Sequence, residues 1–249
     1  MQAVTKNQLK YIKSLHQGKF RKEHKKYIVE GTKSAQEWID QRAPIEYVVC
    51  TQEWYDQCKS TLFRINSENV LIATPEQLET ISTLKTANEV LLTVAMEQDN
   101  TWEHSGWILM LDTVQDPGNM GTIIRTADWF GIKQIVASKD CVDIYNPKVI
   151  QATMGSLLRV KVVKTDLLSI VTQTHLPTYA AVLGGKDLQS LENIKPGIII
   201  MGNESQGIKP EIIRMAKHPI TIGKLGGAES LNVAVATGII CHSLISLSS

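Results

Sequence analysis

The stretch Leu111-Asp-Thr-Val-Gln-Asp-Pro-Gly-Asn-Met-Gly-Thr-Ile-Ile-Arg-Thr-Ala127 decides the fold of the C-terminal half of the chain. An apolar run opens it, residues 116–119 have turn chemistry, and apolar residues at helical spacing follow. The pattern predicts a strand, a turn and a helix. Arg125 falls within this otherwise apolar helix, and a buried charge needs a partner. Arg125 is therefore either half of a structural ion pair, with Asp112 or Asp116, or a residue that binds a ligand.

Two further segments place polar or glycine residues after apolar runs. Residues 198–207 predict a buried strand that ends in a polar loop, where Glu204 either contacts a ligand or caps the next turn. Residues 222–236 predict a glycine-rich loop and a helix that is apolar nearly all round. Such a helix is buried, and a subunit interface is one way to bury it. The glycine signatures of Rossmann and P-loop nucleotide sites do not occur.

Apolar runs alternate with helical patterns along the C-terminal half. We predict strands at residues 107–112, 134–137, 159–163, 179–183, 198–201 and 220–222. This alternation is typical of an α/β domain whose largely parallel sheet is covered on both faces. Such sheets bind ligands at the carboxyl ends of their strands, and Gly184 and Gly185 lie in one of the predicted loops there.

The N-terminal part of the chain predicts a smaller α/β module. Thr5 or Asn7 caps a first helix with one apolar stripe. Strands are predicted at residues 25–31, 45–50, 70–73 and 89–96. A polar stretch without periodicity follows. We therefore predict an N-terminal domain over residues 1–97, a linker over 98–106 and a second domain over 107–249.

The composition is that of an ordinary globular protein and excludes disordered, collagen-like and disulfide-rich classes. The four cysteines form no C-x-x-C pair, so we expect free thiols and no metal. No apolar run is long enough for a bilayer, and the N-terminus lacks the apolar core of a signal peptide. We therefore expect a cytoplasmic protein that does not bind a membrane.

Basic residues are concentrated at the N-terminus. The net charge is only +1, but residues 1–26 carry eight basic side chains against the single acid Glu23. Basic side chains that neutralise phosphates release counterions, so this arm is consistent with contact to phosphate groups. The alternative is a solvated charged helix face. The eight residues are Lys6, Lys10, Lys13, Lys19, Arg21, Lys22, Lys25 and Lys26.

Together, the three segments resemble the motifs of the SpoU-type (SpoU/TrmH) RNA 2′-O-ribose methyltransferases of the SPOUT class. Asn119-x-Gly-x-x-x-Arg125-Thr-Ala is similar to the first motif, Gly202-x-Glu-x-x-Gly207 to the second, and Glu229-Ser-Leu-Asn-Val-x-Val-Ala236 to the third. Residues 27–31 resemble the opening of the ribosomal-protein-like RNA-binding domain of many members. Residues 146–155 resemble a stretch that recurs between the first two motifs.

The resemblance implies a fold and an assembly. The C-terminal domain is expected to be an α/β SPOUT domain, a parallel sheet with a trefoil knot, preceded by the small α/β RNA-binding domain. A homodimer is expected, with the active site near the subunit interface, which agrees with the apolar last helix. The chain departs from the family at Ile222-Gly-Lys224, where Ile-Pro-Met is usual. This difference bears on the loop shape and on the contact to adenine.

The resemblance also implies residue roles. Arg125 is the central catalytic residue, and because a guanidinium keeps its proton we expect it to grip a phosphate and stabilise the developing alkoxide. Asn119 and Ser230 are expected to orient it, and Glu204 and Asn232 to shape the cofactor pocket. The expected cofactor-binding residues are Leu183, Gly184, Gly202, Asn203, Ile222 and Leu231. The expected RNA-binding residues are Lys19, Arg21, Lys22 and Lys25.

The predicted function is methylation of a ribose 2′-hydroxyl in structured RNA, with S-adenosylmethionine as the methyl donor. A separate N-terminal module suggests a large folded target, so ribosomal RNA is favoured over transfer RNA. Three alternatives remain: a base-nitrogen methyltransferase of the same fold, a non-catalytic RNA-binding paralogue, and a small-molecule α/β enzyme. The first motif disfavours the base-nitrogen enzyme, the intact motif residues disfavour the paralogue, and the basic arm disfavours the small-molecule enzyme.

Overall fold

A computed structural model describes residues 1–97 and 101–248 of the chain. The chain divides into two compact units, which we describe separately. The first unit comprises the described residues of Met1–Gln98 together with Tyr145–Leu158. The second comprises those of Asp99–Ile144 and Arg159–Ser249. Residues 98–100 of the predicted linker lie outside the described residues.

The first unit contains a five-stranded mixed sheet. In spatial order its strands are β1 (Gln2–Ala3), β4 (Val70–Ile72), β3 (Ile45–Cys50), β5 (Val90–Ala95) and β2 (Lys26–Glu30). β5 runs antiparallel to both of its neighbours, and β4 runs parallel to β1 and β3. The structure confirms the four strands predicted in this part of the chain. β1 was not predicted, because two residues carry no periodic pattern.

Helices pack against this sheet, and the first of them has the predicted cap. The helices of the N-terminal segment are α1 (Lys6–Ser14), α2 (Gly18–His24), α3 (Thr32–Asp40), α4 (Gln52–Cys58) and α5 (Pro75–Ile81). The Thr5 hydroxyl accepts a hydrogen bond from the backbone N–H of Gln8, and the Gln8 side-chain oxygen accepts one from the backbone N–H of Thr5. Ile12 and Leu15 are fully buried, so the apolar stripe of α1 faces the core.

The segment Tyr145–Leu158 packs in the first unit, although the residues on both sides of it in the chain belong to the second. Its helix is α7 (Pro147–Thr153). Ile150 is buried in the same core as Trp38, and the Tyr145 ring centre lies 4.7 Å from that of Tyr27. The continuous second domain predicted over 107–249 is therefore corrected at this segment. Periodicity shows that a helix buries a face, but not which domain covers it.

The second unit contains a six-stranded sheet that is parallel throughout. In spatial order its strands are β11 (His218–Thr221), β9 (Thr178–Asp187), β10 (Ile198–Met201), β6 (Ile108–Leu111), β7 (Gln134–Ala137) and β8 (Lys161–Lys164). β6, β7 and β10 are buried along their whole length, which accounts for their continuous apolar runs. The predicted parallel α/β sheet is confirmed. The trefoil knot stays a prediction, and the insertion of β10 between β6 and β9 is consistent with it.

Four helices of the second unit flank this sheet and its loops. They are α6 (Pro117–Trp129), α8 (Leu167–Gln173), α9 (Pro210–Met215) and α10 (Val233–Leu247). The turn predicted at residues 116–119 forms the start of α6. Asp116 caps this helix, because its carboxylate accepts the backbone N–H of Asn119. α10 buries one face but leaves Val235 and Ile239 exposed in the single chain.

β9 extends beyond the strand predicted there. Gly184 and Gly185, which were expected in a loop, lie within it. The pairing with β11 skips residues 181–185, which therefore bulge out of the ladder. Gly184 has a φ of +80°, and a Cβ on Gly185 would lie 2.6 Å from the backbone carbon of Ile220. Both positions therefore need glycine.

The four cysteines are free thiols, as the sequence predicts. Burial raises the pKa of Cys50 and of Cys241 to about 12, so both stay protonated at neutral pH. Within residues 1–97 and 101–248, no helix is long and apolar enough to cross a bilayer. The same residues contain no group of three or more histidines, cysteines and acids that could hold a metal ion. A cytoplasmic location stays a prediction.

Candidate cofactor and active site

A cavity of about 760 Å³ lies at the carboxyl ends of β9, β10 and β11. Three segments at the strand ends line it: residues 181–183 of the β9 bulge, residues 202–208 after β10, and the glycine-rich segment after β11. Val233, Ala236 and Ile240 of the C-terminal helix also line it. Parallel α/β sheets bind ligands at this edge. The volume is within the range of sites for ligands of drug size.

Five of the six predicted cofactor-binding residues line this cavity, together with Glu204 and Ser230. The five are Leu183, Gly202, Asn203, Ile222 and Leu231. Gly184 is not among the lining residues and instead allows the β9 bulge to turn. Thr221 and Leu225 also line the cavity. They lie in the predicted strand 220–222 and in the predicted glycine-rich loop, but neither is a motif residue, so the sequence assigned them no role in the site. The contacts of all these residues with a cofactor stay a prediction.

A chain of hydrogen bonds joins the three motif segments beside the cavity, and Glu204 is its member that lines the cavity. Asn119 Nδ2 donates to Glu204 Oε1 at 2.8 Å, and Asn232 Nδ2 donates to Asn119 Oδ1 at 2.9 Å. Asn232 also caps α10, because its Oδ1 accepts the backbone N–H groups of Ala234 and Val235. The Glu204 carboxylate is thus bonded to Asn119, and its expected contact with a ligand stays a prediction.

The loop after β10 is closed by its own residues. The backbone N–H groups of Asn203 and Gly207 donate to each other's carbonyl oxygens, at 2.9 and 3.0 Å. Asn203 Oδ1 accepts the N–H groups of Ser205 and Gln206. A Cβ on Gly202 would lie 2.2 Å from the backbone carbonyl carbon of Gly207, so the loop needs glycine there. These contacts fix the backbone on both sides of Glu204.

Gly223 stands where the motif of similar enzymes has proline. A Cβ at this position would lie 2.7 Å from Asp187 Oδ2. Asp187 caps the short 3₁₀ turn Leu188–Ser190, because its Oδ1 accepts the N–H of Gln189. A larger residue at this position would have to move the Asp187 carboxylate. The neighbouring Lys224 is exposed and lines the cavity.

Arg125 is exposed, contrary to the burial that its apolar helix predicts. Neither expected partner holds it, since Asp112 pairs with Lys209 and Asp116 caps α6. Among the residues that the structure describes, no hydrogen bond or ion pair involves Arg125. The interpretation as a structural ion pair is therefore wrong, and the guanidinium is available to a ligand.

The expected orientation of Arg125 by Asn119 and Ser230 is not seen in the single chain. The Asn119 amide is engaged in the hydrogen-bond chain, and no hydrogen bond within the described ranges joins Arg125 to Ser230. Arg125 instead shares an exposed face of α6 with Trp129, one turn further on, whose exposed fraction is 83%.

The basic arm forms α1 and α2 in the first unit. Lys19, Lys22 and Lys25 are exposed. Arg21 is buried, with only 3% of its surface exposed, and its guanidinium donates to the carbonyl oxygens of Leu15 and His16. The assignment of Arg21 to RNA binding is therefore wrong. Its charge stabilises the turn between the two helices instead.

The family model described as the SpoU rRNA Methylase family matches residues 106–242, more than half of the chain. The chain belongs to the SpoU rRNA methylase family. A second model, the MRM3-like substrate binding domain, matches residues 6–92 of this SpoU methylase. The resemblance seen in the three motifs is confirmed, and so is the predicted enzyme class, an S-adenosylmethionine-dependent RNA methyltransferase.

Relatives of this SpoU methylase cover its two units. An uncharacterized tRNA/rRNA methyltransferase of Synechocystis is 30% identical over 96% of this chain and 90% of its own length. The 23S rRNA (guanosine(2553)-2′-O)-methyltransferase RlmP of Bacillus subtilis is 34% identical over 55% of this chain and 57% of its own. The crystal structure of an AdoMet-bound rRNA methyltransferase from Sinorhizobium meliloti is 26% identical, with a TM-score of 0.87 and coverage of 98% of this chain and 97% of that one. The predicted two-part α/β fold is confirmed.

Proposed function

We propose that this SpoU methylase transfers a methyl group from S-adenosylmethionine to a ribose 2′-hydroxyl of ribosomal RNA. The observation that carries the proposal is the hydrogen-bond chain Glu204–Asn119–Asn232, which joins three separate motifs beside the cavity that Glu204 lines. The first motif and the 2′-O activity named for the Bacillus subtilis relative support the ribose oxygen as the target.

The residues of the cavity fit S-adenosylmethionine. Because Gly202 has no Cβ, the backbone of Gly207 and Ile208 can pack directly against it, and this close packing shapes the loop that lines the cavity. Leu183, Ile222 and Leu231 supply apolar wall for the adenine, and their backbone polar groups supply hydrogen bonds. The bound cofactor supplies a methyl group on a positively charged sulfur.

The residues of this chain prepare the ribose for attack. Arg125 binds the phosphate beside the target nucleotide with two parallel N–H donors and stabilises the negative charge that develops on the 2′-oxygen. It does not accept the 2′-hydroxyl proton, because a guanidinium stays charged at neutral pH. That proton passes to solvent water as the oxygen takes the methyl group and the sulfonium becomes a neutral thioether. Asn119 and Asn232 hold the Glu204 carboxylate in place, so the cavity wall keeps its shape while the ribose is aligned.

Ribosomal RNA is favoured as the substrate. A separate substrate-binding domain suits a large folded target, and two of the relatives named above act on ribosomal RNA by name. The test is a map of 2′-O-methyl groups in ribosomal and transfer RNA from cells with and without the gene. We expect one ribosomal position to lose its methyl group. A loss confined to transfer RNA would contradict this choice of substrate.

The exposed lysines of the basic arm are proposed to contact RNA phosphates. Replacing both Lys19 and Lys22 with alanine is expected to weaken RNA binding and to reduce the slope of log K against log salt by about 1 for each lysine. Filter binding at several salt concentrations measures this slope. The control is Lys59→Ala, an exposed lysine of the same unit outside the arm. An unchanged slope in the double variant would rule out these contacts.

The active site is completed in a homodimer. Trp129, Val235 and Ile239 are apolar and 83%, 52% and 38% exposed, on two helices that pack against each other. Apolar residues grouped on one surface mark an interface. A second copy would cover this surface and bring its residues next to Arg125, which lies on the same face of α6 as Trp129.

A charge placed on this surface is expected to separate the subunits. Val235→Glu should convert the protein from a dimer to a monomer in size-exclusion chromatography with light scattering, and lower methyl transfer at least about tenfold. Leu168→Glu, at an exposed apolar residue of α8, is the matched control and should remain a dimer. A fully active monomer would contradict the placement of the active site at the interface.

A further inference from the structure

Asp112 is a fully buried carboxylate that has no role in the steps described above. It directly follows β6, and the exposed fraction of its side chain is 0%. Its Oδ2 accepts the backbone N–H of Lys209 at 2.8 Å, and its Oδ1 accepts the Thr113 hydroxyl at 2.9 Å. The Lys209 ammonium lies 3.6 Å from Oδ1. Burying a charge costs free energy even when it is paired, so this ion pair is weak evidence for a gain in stability and a role in positioning has to be considered.

The partners of Asp112 attach both ends of the loop that carries Glu204. Asn203 begins this loop, and its Nδ2 donates to the Thr113 carbonyl oxygen at 2.8 Å. Lys209 ends it, with its backbone N–H and its ammonium both facing Asp112. Thr113 has a φ of +60°, a left-handed conformation that is unfavourable for a β-branched residue. The two ends of the loop therefore bind to Asp112 and Thr113, and the backbone of Thr113 is strained.

Lys209 has a second, exposed carboxylate partner. Its Nζ lies 3.2 Å from Asp140 Oδ2. The hydrogen bond to Asp140, together with the charge of Asp112, raises the pKa of the Lys209 ammonium above its usual value. The Asp140 side chain is 61% exposed, so solvent screens its contribution, whereas the buried Asp112 is not screened. Asp112 and Asp140 contact the same Lys209 ammonium, so substituting each in turn compares a buried carboxylate with an exposed one.

We propose that Asp112 is a positioning residue for methyl transfer: it holds both ends of residues 203–209 against the end of β6, so that Glu204 reaches Asn119 before the cofactor binds. Asp112 itself touches neither cofactor nor RNA in this scheme. The proposal rests on the proposed function, since the loop that Asp112 holds is the one we assign to the cofactor. It adds that the loop is attached through a buried charge rather than through packing alone.

The test is Asp112→Asn, because asparagine keeps the shape of the side chain and removes its charge. In the unliganded protein, we expect the backbone amides of residues 203–209 to exchange with deuterium at least about tenfold faster. The Kd for S-adenosylmethionine in calorimetry should rise about tenfold to a hundredfold. In RNA methylation assays the KM for the cofactor should rise in parallel, while the KM for RNA stays unchanged. Asp140→Asn is the control and should leave the Kd within about twofold of the wild type.

Two results would overturn the proposal. One is an Asp112→Asn protein that folds, binds the cofactor and exchanges its loop amides like the wild type. If Asp112→Asn does not fold, Lys209→Met decides, since the Lys209 side chain is 44% exposed and its loss leaves the core intact. We expect Lys209→Met to bind the cofactor at least about threefold more weakly, and wild-type affinity would be the second contrary result. A wild-type protein that binds the cofactor but methylates no RNA would instead refute the proposed function. The hydrogen-exchange and cofactor-binding measurements would still test whether Asp112 positions the loop.

Discussion

Replacing Arg125 with alanine is expected to lower kcat for RNA methylation by about a thousandfold, while the Kd for S-adenosylmethionine stays within about twofold of the wild type. The side chain is exposed, has no hydrogen-bond or ion-pair partner within the described residues, and does not line the cavity. Its removal therefore costs little stability and leaves the cofactor contacts intact. Single-turnover methylation assays and calorimetry measure the two quantities separately.

Arg125→Lys separates the charge from the shape of the guanidinium. Lysine keeps the positive charge but cannot offer two parallel N–H donors to one phosphate, so we expect a loss of about a hundredfold in kcat. Lys133→Ala, at an exposed basic residue before β7, is the matched control and should retain full activity. Near-normal turnover by both Arg125 variants would show that this arginine does not act in the reaction.

Replacing Gly202 with alanine is expected to weaken S-adenosylmethionine binding by about a hundredfold or more. The added Cβ would lie 2.2 Å from the backbone carbonyl carbon of Gly207 and 2.3 Å from the backbone nitrogen of Ile208. Neither is the end of a flexible side chain, so the loop after β10 must open and Glu204 must leave Asn119. Calorimetric titration measures the affinity, and thermal unfolding shows whether the rest of the fold remains.

Gly227→Ala is the control for the Gly202 substitution. It adds the same methyl group in the glycine-rich segment after β11, where a Cβ would meet nothing within 4 Å. We expect its cofactor affinity to stay within about twofold of the wild type. If Gly202→Ala binds as tightly as Gly227→Ala, the close approach of the two backbone segments is not what shapes the site.

Strands that are buried on both faces could be predicted closely from the sequence. β3, β7 and β10 have the predicted bounds, because a short apolar run between turn residues leaves little choice of register. β1 has two residues and α2 has seven, most of them polar, so neither shows a periodic pattern of apolar residues, and neither was predicted. The extension of β9 was missed because a bulge interrupts the alternation on which strand prediction depends.

The motifs include most of the predicted residues that line the cavity, but they do not reveal which side chains pair with each other. Glu204 and Asn232 lie 85 and 113 residues from Asn119 in the sequence, and only the order of the parallel strands brings them together. For Arg21 the sequence prediction was wrong. Its charge suggested an exposed side chain, but the turn between α1 and α2 supplies carbonyl acceptors that allow it to be buried. For Arg125, apolar neighbours suggested burial, yet it lies on an exposed face of its helix.

The central claim is that this protein methylates a ribose oxygen and needs Arg125 to do so. The most direct measurement uses the purified protein, S-adenosylmethionine with a deuterated methyl group, and ribosomal RNA from cells that lack the gene. Digestion to nucleosides and fragmentation by mass spectrometry then locate the label. We predict label on the ribose of one nucleoside type with the wild type, and almost none with Arg125→Ala. Label on a base, or equal labelling by the Arg125→Ala protein, would contradict the account.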